Sequence, residues 1–217
     1  MKKLYVWAVA LLLGLAAQSA SAFVITGTLD LDPRYPGLDD HFDINVTIDV
    51  TGAEAIWTVS FVSDQPSAFI GEFYFNVAPG NYTFSGFSPT SWVVVSPASP
   101  VGGGNFGTGF LYEAHNSIPG NTNRVYAGSS LVFTMTNNDG DFTEAMFLDA
   151  PCASTTAFGG CWQLGAHIQG SDNLPPGSLF LVGNFQSGDN GNSVPEPGTL
   201  ALLGAALLGL SAARRRL

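Results

Sequence analysis

An all-β, antiparallel fold is predicted for this chain by three observations. Apolar and polar residues alternate with a period of two, the runs that do so are short and rich in β-branched and aromatic side chains, and Gly, Pro, Asn, Asp and Ser clusters separate them. Phe42, Ile44, Val46, Ile48 and Val50 occupy every second position while Asp43, Asn45, Thr47 and Asp49 fill the gaps, which is a strand with one wet face. Many such strands at regular spacing suggest an antiparallel β-sandwich, with a jelly roll as one topology. An α/β fold would need amphipathic helices between the strands, and the intervening stretches are too short and too rich in breakers.

In chain order, residues 1–22 read as a secretory signal helix. Met1, Lys2 and Lys3 form a positive start, an apolar run follows, and Ala20 and Ala22 bracket Ser21 as a cleavage site that makes Phe23 the first mature residue. Signal peptidase is thereby an expected partner. Residues 23–185 form the β body, with strands expected at 23–29, 42–50, 55–63, 68–77, 82–87, 92–96, 109–112, 131–136, 145–149, 161–168 and 179–182, and no helix among them. Residues 186–193, QSGDNGNS, are a flexible polar linker. Residues 194–217 form a separate tail, in which a charge-free stretch from 199 to 213 precedes Arg214, Arg215 and Arg216. Fifteen helical residues reach roughly 22 Å, less than the roughly 30 Å hydrocarbon core, so this short hydrophobic helix is a marginal membrane span. Its arginines favour the cytoplasmic side, which turns the body outward.

Charge excludes some partners. Between Phe23 and Val194 only Arg34 and Arg124 are basic against sixteen acids, a net charge of −14, so nucleic acid is a poor partner. The two cysteines, Cys152 and Cys161, lie in an exported segment and are expected to pair as a disulfide.

The tail carries a specific resemblance. Val194, Pro195, Glu196 and Pro197, then a Leu/Ala/Gly-rich helix, then the terminal arginines, resemble the PEP-CTERM sorting domain of Gram-negative surface proteins. The resemblance implies recognition by a membrane-embedded exosortase, with processing at or near the Pro-Glu-Pro element, an inner-membrane intermediate, and a final place at the cell surface or in the extracellular matrix. It also implies association with exopolysaccharide and biofilm, since exosortase systems accompany exopolysaccharide production. The prolines flanking Glu196 favour an extended segment that a membrane enzyme can grip.

Within the body no catalytic residue is assigned, and the expected role is non-enzymatic. The stretch 102–107 satisfies G-x-G-x-x-G, but prolines precede it and a strand pattern follows, so it reads as a loop. His41, His115 and His167 are scattered, and no nucleophile elbow occurs. Asp30, Asp32, Asp39, Asp40, Asp139 and Asp141 sit in acidic, turn-forming stretches that read first as solvated turns keeping a β protein soluble, and secondarily as oxygen ligands for Ca²⁺ as a cofactor. Trp57 and Trp162 are expected in the core, the latter on the disulfide. A secreted carbohydrate-binding module or polysaccharide hydrolase is the alternative reading, the hydrolase requiring a paired carboxylate site.

Overall fold

Alternation in the sequence becomes alternation in burial. The computed structural model describes residues 22–31, 41–98, 109–118, 123–153, 160–170 and 178–188. Among these described residues eleven strands are formed: β1 (Ala22–Leu31), β2 (Phe42–Thr51), β3 (Glu54–Ser63), β4 (Phe69–Phe75), β5 (Tyr82–Ser88), β6 (Trp92–Val95), β7 (Tyr112–Asn116), β8 (Val125–Tyr126), β9 (Ser130–Asn137), β10 (Leu164–Gln169) and β11 (Ser178–Ser187). Along β2 and β9 every second side chain is buried, and the residues between them face outward.

The strands join one antiparallel sheet in the order β5-β9-β3-β2-β1-β11-β10-β4-β7-β6, with β8 attached to β4. This replaces the two separate sheets of the expected sandwich with a single, nearly closed, barrel-like sheet. The physical reason is the pairing of the chain ends. β1 bonds to β2 on one side and to β11 on the other, so the first and last strands weld together halves that a sandwich would keep apart. Close approach at that weld requires glycine, since a Cβ on Gly183 would run into the backbone carbonyl of Thr28. The turn between β2 and β3 has two residues, and Gly52 supplies the positive φ of 59° that such hairpin turns demand.

The inside of the sheet is filled by aromatic rings. Trp57 on β3 is fully buried, with ring centroids 4.6 Å from Phe75, 5.4 Å from Phe133 and 5.9 Å from Phe185. Each such pair adds about 0.5–1.5 kcal/mol beyond the area it hides.

Three segments depart from the pattern expected of them. Residues 145–149 are not a strand: Ala145–Leu148 forms a one-turn helix, α1, whose backbone bonds run to Thr143, Glu144 and Ala145. The turn lets Phe147 plug the end of the barrel against Trp57 (6.2 Å), Phe23 (6.1 Å) and Phe185 (6.0 Å), so tertiary packing overrides a local strand pattern. The strand expected at 109–112 lies later, at Tyr112–Asn116, and β8 carries too few residues to give a pattern. β11 also continues to Ser187, two residues into the stretch read as linker, because Ile25 and Thr26 of β1 offer it partners. Among the described residues no helix is long and apolar enough to cross a membrane. The signal helix, the short C-terminal helix and the loop at 102–107 lie outside the described residues.

Candidate functional site

Register assembles a polar cluster that the sequence scatters. His167 on β10 pairs with Glu72 on β4, and Glu72 pairs in turn with His115 on β7. One step along, Tyr74 pairs with Glu113. Directly paired residues share a face, so His167, Glu72, His115, Tyr74 and Glu113 stand together on the side of the sheet opposite Phe73 and Phe75. Each histidine is matched with a carboxylate. His167 Nδ1 lies 2.5 Å from Glu72 Oε2, and His115 Nδ1 lies 3.0 Å from Glu113 Oε1. The His167 ring also stacks on Phe180 at 4.4 Å, nearly parallel.

A second, smaller apolar cluster covers part of this face: Tyr74, Phe110, Ala153, Phe180 and Val182, with Ala98 and Trp162 packed against them. Ala153 and Trp162 form a bridge next to the Cys152–Cys161 disulfide, whose Cα atoms are 5.0 Å apart. The expected disulfide is therefore present, and Trp162 helps to seat its segment on the sheet. Burial raises the Tyr74 phenol far above its ordinary value, and the Glu72 and Glu113 carboxylates beside it push in the same direction. The phenol stays neutral throughout any physiological range. Glu113 is 4% exposed and Tyr74 is fully buried, and the His167–Glu72 bond ties β10 to β4 on this face.

The remaining histidine, His41, lies 2.8 Å from Asp64 and holds that carboxyl below its ordinary value, helped by the Gln65 side chain. All three histidines thus have a carboxylate partner, although their spacing in the sequence gave no sign of it. Period-two counting could have placed Glu72 with Tyr74 and Glu113 with His115 on common faces; only the pairing of β4 with β7 and β10 joins them.

Ala22 and Phe23 begin β1, paired with Thr51 and Val50, and Phe23 is 7% exposed. Asp30 is exposed near the end of β1. The Asp139 carboxylate accepts the Asn81 backbone N–H at 2.9 Å and so fastens the turn after β9 to the start of β5, while Asp141 is exposed. Among the described residues no three His, Cys, Asp or Glu side chains are grouped to hold a metal ion. Ala20, Asp32, Asp39, Asp40, Val194, Pro195, Glu196, Pro197, Arg214, Arg215 and Arg216 lie outside the described residues.

The two ends of the body meet. β1 and β11 are antiparallel, and the Gly188 N–H donates to the Val24 carbonyl at 2.8 Å, so the first and last described residues lie at the same pole of the sheet. Comparison with known families finds the PEP-CTERM protein-sorting motif at residues 193–216. No curated protein and no solved structure matches the chain.

Proposed function

We propose that this chain, a PEP-CTERM domain-containing protein and hence an exosortase-targeted, exported surface protein, works outside the cell as a non-enzymatic adhesive component that associates with exopolysaccharide in the biofilm matrix. Signal peptidase removes residues 1–22, the short C-terminal helix holds the precursor in the inner membrane, and the exosortase acts at Val194 to Pro197.

One observation supports the reading: the Gly188–Val24 hydrogen bond holds the start of β1 and the residue after β11 together at one pole, on the sides from which the expected leader and sorting tail continue. A tail attached there leaves the opposite pole and the hydroxyl- and amide-bearing outer face of β1, β2 and β3 turned to the surroundings. Thr26, Thr28, Asn45, Thr47, Thr58 and Ser60 stand on that face, the chemistry that hydrogen-bonds sugar hydroxyls.

A polysaccharide hydrolase is the second reading, favoured by Glu72 and Glu113 sharing a face on neighbouring strands. Diagonal neighbours on paired strands stand about 7–8 Å apart, within the range of catalytic carboxylate pairs. Against it, each carboxylate is matched with an imidazole and Glu113 is buried. A secreted carbohydrate-binding module, with or without Ca²⁺, differs from the adhesive reading only in having a defined ligand site.

The test is intact mass and location in the native host and in a strain lacking its exosortase. The proposal expects a product that begins at Phe23, ends near Pro195 to Gly198, and co-sediments with the exopolysaccharide until that polymer is digested. An Arg-terminated tail in both strains would overturn the processing step. Release of reducing sugar by the purified protein, abolished in Glu113→Gln, would replace the adhesive reading with the hydrolase.

A further inference from the structure

Arg124 is the only lysine or arginine among the described residues. In a body so rich in acids, a lone guanidinium is expected to find a carboxylate. Among the described residues no carboxylate forms an ion pair with it, and its Cζ sits 4.0 Å above the centre of the Phe69 ring. Resting on an aromatic face holds the guanidinium in place without occupying its five N–H donors, which lie in the plane of the group. Beside it, Tyr126 is 38% exposed, and its ring centroid is 5.7 Å from that of Phe69. β8 pairs with β4 so that Tyr126 stands opposite Phe69, which fixes both rings on one short strand pair.

This patch lies at the end of the sheet opposite the Gly188–Val24 contact. Phe69 pairs with Gln169, Gln169 with Ser178, and Ser178 begins β11, the strand that runs from there to the Gly188–Val24 contact. A body tethered by its tail presents Arg124 and Tyr126 outward.

We infer that Arg124 and Tyr126 form a binding site for an acidic sugar residue, of the uronate type, in a polysaccharide. The guanidinium fork takes the carboxylate through two parallel N–H···O bonds, and the Tyr126 ring packs against the apolar face of the sugar. The net charge of −14 does not forbid this. At physiological ionic strength, interactions between exposed charges are largely screened beyond about 8 Å, so the contact at Arg124 outweighs the remote acids. The site rests on the polysaccharide-association reading and gives it a ligand class.

The test measures binding of the purified full-length chain in detergent to an immobilised galacturonate oligomer and to a neutral glucan oligomer of equal length. The expected result is binding to the galacturonate oligomer with little to the glucan, weakened about tenfold or more in Arg124→Gln, a loss that fits a hydrogen bond to a charged group. Tyr126→Ala, which leaves the guanidinium on Phe69, weakens it comparably with an unchanged melting temperature. Equal binding of the two oligomers, or galacturonate binding that survives both substitutions, overturns the site and leaves the matrix role standing. If the wild type binds neither oligomer yet still co-sediments with the host's exopolysaccharide, the uronate site alone falls. If it does not co-sediment either, both fall.

Discussion

The side-chain amide of Gln163 donates to the carbonyl of Phe147 at 3.0 Å, tying the start of β10 to α1. The same nitrogen reaches the carbonyls of Leu148 and Ala150, and Oε1 accepts the Phe185 N–H at 3.0 Å. The last carbonyls of a helix have no partner within it, and here a buried glutamine supplies one. Gln163→Leu keeps the approximate volume but strips these bonds: the Phe147 carbonyl keeps the Ala150 N–H, while the buried Ala150 carbonyl and Phe185 N–H lose the glutamine. A loss of about 2–4 kcal/mol is expected, since each unsatisfied buried group costs about 1–3 kcal/mol. Urea denaturation of the variant and the parent measures it, and an unchanged midpoint would mean that water replaces the amide.

The Cys152–Cys161 disulfide closes a short loop whose neighbours Ala153 and Trp162 lie on the sheet. Replacing both cysteines with serine should lower stability by about 2.5–3 kcal/mol in the chain-entropy model. The loss should appear as a lower melting temperature in the oxidised protein alone, and reductant should bring the parent down to the variant.

Tyr82 gives the alkaline limb of the stability profile a direction. Burial, reinforced by Tyr112 and Asp139, pushes its phenol from 10.0 up to about 12, and its hydroxyl donates to the Ala78 carbonyl at 2.6 Å. A raised folded value means that the neutral form is favoured in the native state. Its contribution is complete below pH 10 and lost as pH climbs from 10 towards about 12. Tyr82→Phe should be less stable than the parent at neutral pH, and the gap should narrow across that window, as followed by circular dichroism together with phenolate absorbance.

The position of Phe23 implies an order of events in export. The bond expected to be cut by signal peptidase joins Ala22 to Phe23, and in the folded body both residues are paired with β2, with Phe23 packed on Phe147. A protease needs such a segment extended and unpaired, so cutting should precede the docking of β1. Purified precursor, folded before exposure to signal peptidase, should be cleaved far more slowly than precursor diluted from denaturant. Equal rates would place the true cleavage site upstream of the sheet.

Legibility in the sequence followed the range of the interactions concerned. The strands β2, β3 and β9 could be placed because burial on one face imposes a period of two on consecutive residues. β8 and α1 could not. Two residues carry no period, and Phe147 turns inward because the barrel end needs filling, a demand set by Trp57 and Phe185 and not by its own neighbours. The acidic turns gave the same composition whether or not they bind a cation, and Asp139 proves to hold Asn81. His115 and His167 looked unrelated because they are far apart in the chain, yet both stand beside Glu72.

By itself the sequence determined that the body is antiparallel β, that its two cysteines pair, and that it ends in a sorting motif, because each of these is written in neighbouring residues or in a count of two. The tertiary structure alone decided that β1 joins β11 into one nearly closed sheet, that glutamates and histidines from three strands meet on one face, and that Arg124 rests on Phe69 at the pole away from the Gly188–Val24 contact. These depend on register between distant strands. A shift of one residue would turn every side chain to the other face, and only the packing of the whole sheet selects among such alternatives.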